Sequence, residues 1–167
     1  MDTVAEFHFD GIKLEALKRV LIGFPFTYTY KKFPDNYCGA GKGIGEKLVP
    51  DYIMGFTKFL KWFGLDISLK ISPACYIHDN DYEMCEPTWE AFYDANDRLG
   101  DNIERIIEAK VKNQRLAAFY RYRATTYCNA VNLHGKSVFW TLKKIQGYSI
   151  PENAKKYVDW KKVAETN

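Results

Sequence analysis

The stretch SPACYIHDNDYEMCEPTWEAFYDANDRLGDNIERII, residues 72 to 107, holds the pattern from which a fold can be read. Ser72 followed by Pro73 has the composition of a helix start, because a hydroxyl can cap the first turn and proline is pre-shaped for it. The next proline is Pro87, and the residue before a proline is biased away from helix, so a helix is predicted between the two prolines. Thr88 can cap a second helix, in which Trp89, Phe92, Leu99, Ile103, Ile106 and Ile107 form an apolar stripe reaching to about Lys112. With so short a link at Glu86 to Thr88, the two helices must fold back on each other.

Working outward, Gln114 to Ile145 is again mostly helical in period, read as one or two helices interrupted by Gly135. After Gly147 the chain is irregular or ends in a short helix. Upstream, Ile12, Leu14, Leu17, Val20 and Leu21 predict an amphipathic helix from Gly11 to Gly23, and Phe24 to Tyr30 an extended segment. Gly39, Gly41, Gly43 and Gly45 mark a loop whose backbone can turn its carbonyls or amides toward a ligand. Pro50 to Phe63, with Ile53, Met54, Phe56, Phe59, Leu60, Trp62 and Phe63, predicts a very apolar helix stopped by Gly64. The class is mainly α, and the 167 residues suit a single domain.

Cys75, His78 and Tyr82 fall at i, i+3 and i+7, so they share a helix face, with Asp79 one step round. Counting outward from the turn sets His78 opposite Asp97. An imidazole held by a carboxylate on one nitrogen has its other nitrogen free to take a proton, so His78 reads as a general base and Asp97 as its orienter. Asp79 can then face the glycine-rich loop, where a carboxylate and backbone carbonyls make the oxygen-only shell that calcium prefers.

The bulk properties exclude more than they assign. A net charge of +3 is small for a nucleic-acid binder, and Lys110, Lys112, Arg115, Arg121 and Arg123 read as a solvated helix face, so no nucleic-acid partner is expected. No apolar run reaches the roughly 18 residues of a membrane span, and no secretory leader pattern opens the chain. A His-Asp phosphohydrolase would need more ligands than His8 and His134 can add. The four cysteines, Cys38, Cys75, Cys85 and Cys128, lack zinc spacing and permit three full pairings.

Three short motifs carry a family resemblance. Tyr37-Cys38-Gly39-Ala40-Gly41 resembles the calcium loop of secreted phospholipases A2. Cys75-Tyr76-Ile77-His78-Asp79-Asn80-Asp81-Tyr82 resembles their active-site helix, Cys-x-x-His-Asp-x-x-Tyr, and Asn96-Asp97-Arg98 their Cys-Asp-Arg. The likeness covers about Asp35 to Ile103, within a motif core of about 35–112. The short interval between His78 and Asp97 leaves no room for the β-hairpin of the animal enzymes, so the chain looks more like the compact bacterial and viral forms.

The resemblance implies a phospholipase A2-like fold: two antiparallel active-site helices after a Gly-rich calcium loop, with additional helices. It implies calcium-dependent hydrolysis of the sn-2 ester of glycerophospholipids; the alternative is an inactive, lipid-binding or structural relative. His78 would activate water, Asp97 would orient His78, Tyr82 would turn its hydroxyl toward Asp97, and calcium would take the backbone carbonyls of Tyr37, Gly39 and Gly41 and the carboxylate of Asp79. Cys38 and Cys75 stand where the family has a disulfide. Another family disulfide is lost at both ends, where this chain has Asp81 and Asn96. The implied partner is a phospholipid surface, met through Ile53, Phe56, Phe59, Trp62 and Phe63 if that segment is interfacial rather than a cover for the core. The implied setting is secreted, extracellular or virion-borne, with the cytoplasm as the alternative.

Overall fold

The computed structural model describes residues 8–9, 12–13, 20–23, 52–53 and 69–166. Across these the protein is mainly α. Helix α1 spans Ser72–Met84, α2 Trp89–Lys110 and α3 Gln114–Ile145, followed by a 3-10 turn at Glu152–Tyr157 and a terminal helix α4, Trp160–Thr166. Four two-residue strands precede them: β1 His8–Phe9 pairs antiparallel with β2 Ile12–Lys13, and β3 Tyr52–Ile53 with β4 Leu69–Lys70. Tyr52 lies opposite Lys70, and Ile53 opposite Leu69.

Several expectations are corrected. Ile12 and Lys13 are paired as a strand rather than wound into a helix starting at Gly11. Gly23 does take the positive φ, 77°, expected of a stop. Tyr52 and Ile53 likewise lie in a strand, not in a helix beginning at Pro50; residues 54–63 fall outside the described residues. Helix α1 is capped by the backbone of Ile71 with no side-chain hydrogen bond, and Ser72 sits inside its first turn, fully buried. At α2 the expectation holds, since the Thr88 hydroxyl accepts from the amide of Ala91 at 3.1 Å.

Gly135 does not interrupt α3, which runs unbroken for 32 residues. At the rise of an α-helix that makes a rod about 48 Å long. Its end is a Schellman closure: Gly147, at φ 89°, donates to Lys144 O and Tyr148 to Lys143 O. A rod of that length serves two core clusters. At one end Ala117, Tyr120 and Tyr127 pack with Ala74, Cys75 and Ile77 of α1 and Leu99, Ile103, Ile106 and Ile107 of α2. At the other, Phe139 and Trp140 pack with Tyr82, Phe92 and Ala95, and with Ala154, Val158 and Val163 beyond α3. Tyr82 meets Phe92 near the 85–88 connection while Ala74 and Ile77 meet residues further along α2, so α1 and α2 run antiparallel and α3 lies across both.

Polar contacts fix these helices to one another. The fully buried Lys143 of α3 donates to Glu83 O at 3.1 Å and to Cys85 O, the last carbonyls of α1, where a cation meets the negative end of the helix. Its ammonium also lies 5.6 Å from the Phe139 ring centre and 5.4 Å from that of Tyr148, close enough for the ring faces to attract the charge. On α2, buried Asn102 accepts from the Ile22 amide at 2.7 Å and donates to its carbonyl at 3.0 Å, docking residues 20–23 on this helix.

Candidate active site

His78 and Tyr82 occupy successive turns of one face of α1, their ring centres 4.1 Å apart. Both are nearly sealed from solvent, at 8% and 3% exposure. Tyr82 is wedged between Phe92 of α2 and Phe139 of α3, at 5.8 and 5.1 Å between ring centres. Asp79, one step round the helix, has a side chain 55% exposed, and its Oδ1 lies 3.6 Å from His78 Nδ1.

The residue that holds His78 is Asn96, not Asp97. His78 Nε2 lies 2.8 Å from Asn96 Oδ1, and the Tyr82 hydroxyl donates to that same oxygen at 2.7 Å. Asn96 Nδ2 in turn donates to Oδ1 of Asn132, on α3, at 2.7 Å. Asp97 is exposed, where its charge helps burial push the Cys128 thiol up to about 11. Counting residues from the turn pointed one position too far along. The buried stripe of α2 is Phe92, Ala95, Asn96, Leu99, Asn102, Ile103, Ile106 and Ile107. Residue 96 lies four after Phe92 and three before Leu99, while residue 97 is about 100° further round the helix. The helical period therefore contained the signal that identifies Asn96.

The amide has consequences for protons. Because Nδ2 is directed at Asn132, Oδ1 faces His78 and Tyr82 and accepts from both. The proton of a neutral His78 then sits on Nε2, leaving the Nδ1 lone pair on the side of Asp79. Burial pushes the Tyr82 phenol far above the usual tyrosine range, so its hydroxyl remains a donor at any working pH. An amide fixes the imidazole's tautomer as a carboxylate would, but brings no charge to set against a forming imidazolium.

Asp81 and Arg98 stand beside this network. Arg98 Nη1 donates to Asp81 Oδ1 at 2.8 Å, tying α1 to α2. The other carboxylate oxygen, Oδ2, is buried without a partner among the described residues, and burial raises the Asp81 pKa in spite of the Arg98 and His78 charges, which lower it. Gly135 of α3 closes the far side. A Cβ there would lie 2.8 Å from the Tyr82 hydroxyl, so only glycine lets α3 approach so closely.

Cys75 is disulfide-bonded and buried, its sulfur 3.1 Å from the Tyr127 hydroxyl, which must donate because a disulfide sulfur carries no proton. Cys38, the partner named above, lies outside the described residues, as do Tyr37, Gly39, Gly41, Phe56, Phe59, Trp62 and Phe63. Cys85 and Cys128 are free thiols rather than a pair; each packs against a different core cluster. Among the described residues no three His, Cys, Asp or Glu side chains gather as a metal site, and no helix is long and apolar enough to cross a membrane. No family model matches the chain, and neither the curated proteins nor the solved structures contain a match to it.

Proposed function

We propose that the protein is a calcium-dependent phospholipase A2-like hydrolase in which His78 is the general base. The observation that carries this reading is the orientation of His78: Nε2 is held by Asn96 Oδ1 at 2.8 Å, leaving Nδ1 beside the Asp79 carboxylate. A lone pair in that position takes a proton from a water attacking an ester carbonyl, and afterwards returns it to the leaving alkoxide. Tyr82 and Asn96 keep the ring in register. Asp79 supplies a hard, half-exposed carboxylate oxygen of the kind calcium takes, and the carbonyls of Tyr37, Gly39 and Gly41 are its proposed companions. Calcium, when bound, stabilises negative charge developing on the ester oxygen. Cys38 is the one cysteine left within the chain to pair with Cys75, and that bond would tether the calcium loop to α1.

A second reading has its own observation. The amide of Asn96 holds His78 in the role that the resemblance gives to the carboxylate of Asp97, and a protein that binds lipid without turning it over has no need of that charge. Release of fatty acid from mixed phosphatidylcholine and phosphatidylglycerol vesicles separates the two. The hydrolytic reading expects release with calcium, loss in chelator, and a fall of roughly a hundredfold or more in His78→Ala. A folded wild type that binds vesicles and releases nothing at any calcium level would replace it with the second reading.

A further inference from the structure

Helix α3 carries none of the three motifs, yet it meets the site at two points. Asn132 accepts from Asn96 at 2.7 Å, and one turn on, Gly135 makes room for the Tyr82 hydroxyl. The need for Asn132 follows from the chemistry of Asn96. A carboxylate presents an acceptor whichever way it is turned, whereas an amide turned end for end presents NH2 in place of oxygen. Turned over, Asn96 would offer a donor to His78 Nε2, which would then have to accept. The ring proton would move to Nδ1, the nitrogen that has to be free.

The Tyr82 hydroxyl cannot prevent this, because it can accept as readily as donate. Asn132 opposes it: its Oδ1 accepts from Nδ2, so Asn96 cannot turn over and keep that bond unless Asn132, itself an amide, turns with it. Asn96 is only 2% exposed. Water therefore has little access to satisfy the wrong orientation, and a buried polar group left unpaired is costly. The absence of a side chain at Gly135 brings the α3 backbone close enough for an asparagine to reach across.

We propose that Asn132 is a positioning residue that locks the Asn96 amide and thereby sets the tautomer of His78, with the proton on Nε2 and the lone pair on Nδ1. This deepens the hydrolytic reading and, in its catalytic consequence, rests on it.

The test measures the ring 15N chemical shifts of His78 in wild type, Asn132→Leu and Asn132→Asp, with His78→Gln assigning the signals, alongside kcat and KM for ester hydrolysis. The wild type is expected in the Nε2–H form. Asn132→Leu is expected to lose it, with kcat down roughly ten- to a hundredfold and KM little changed. Asn132→Asp, which can only accept when ionised, is expected to keep the wild-type tautomer. An unchanged tautomer in folded Asn132→Leu overturns the proposal, and so does loss of the Nε2–H form in Asn132→Asp; the latter decides the matter should the leucine variant fail to fold. If no protein in the set hydrolyses ester, the proposed function fails on its own, because the 15N shifts still decide the role of Asn132.

Discussion

Replacing Gly135 by alanine puts two opposing effects in competition. In a helix interior, Gly→Ala is ordinarily worth up to about 1 kcal/mol, since alanine loses less backbone freedom on folding. At residue 135, however, the new Cβ would stand 2.8 Å from the Tyr82 hydroxyl, well inside the 3.4 Å at which ordinary contact begins. Tyr82 has nowhere to swing, with Phe92, Phe139 and His78 around its ring and Asn96 holding its oxygen at 2.7 Å. Overpacking of that kind costs about 1–3 kcal/mol, and part of a buried hydrogen bond worth about 1 kcal/mol goes with it. The clash wins, leaving Gly135→Ala destabilised by about 1–2 kcal/mol. Gly100, inside α2, supplies the control, because among the described residues a Cβ there meets only Cys128 Sγ, at an ordinary 3.6 Å. Gly100→Ala is expected to gain about 0.5–1 kcal/mol. Urea unfolding followed by circular dichroism should therefore separate the two variants by about 1.5–3 kcal/mol, and their melting temperatures by roughly 5–10 °C. Equal stability of the two would refute the claim that α3 touches the site through Gly135.

Two further outcomes follow from buried ionisable groups. Burial raises the Asp81 pKa in the folded protein above its value in the unfolded chain, so the folded state binds that proton more tightly. Stability therefore falls as pH rises from the unfolded value, 3.8, through the raised folded one, and the loss persists above it. Asp81→Asn should flatten that part of the urea midpoint's pH profile, since Arg98, at 38% exposure, keeps its own hydration; an unaltered slope would show that Asp81 is not its source. The raised thiol pKa values predict slow alkylation of Cys85 and Cys128 in the native protein at mildly alkaline pH. Unfolding without reductant should expose two thiols and reduction four, by mass shift, whereas four without reductant would exclude the disulfide at Cys75.

How much of this could be read from residues alone differs by element. The turn at 85–88, the Thr88 cap and the stripe of α2 were all legible, because capping chemistry and the helical period are local. The unbroken α3 was not, because Gly135 reads locally as a break and is there for a contact with Tyr82, two helices earlier in the chain. Hairpin pairing of Ile12 and Lys13 was hidden by apolar spacings that fit a helix equally well. Of the site, His78, Asp79 and Tyr82 share α1 as their spacing requires. The orienting residue was missed by one position, since counting from a turn assumes a symmetric crossing, whereas the buried stripe reports which face of α2 turns inward.

That difference of one position bears on why the residue is an amide. Asn96 lies buried on the apolar stripe of α2. An ionised carboxylate at that position would have to be taken out of water. The neighbouring Asp81 shows what this entails: it has an arginine at 2.8 Å and its desolvation is still the larger effect. With Arg98 already engaged by Asp81, a second buried carboxylate between His78 and Tyr82 would depend on the imidazolium for its countercharge. Asparagine avoids that desolvation but introduces an orientational ambiguity, which the proposed role of Asn132 is to restrict, since Asn96 could turn over only together with its partner amide. A carboxylate orienter needs neither Asn132 nor a fixed amide, so these two asparagines are physically coupled: Asn96→Asp should make the His78 tautomer insensitive to Asn132→Leu, and a sensitivity retained in the double variant would mean that α3 acts on His78 by some route other than Asn96.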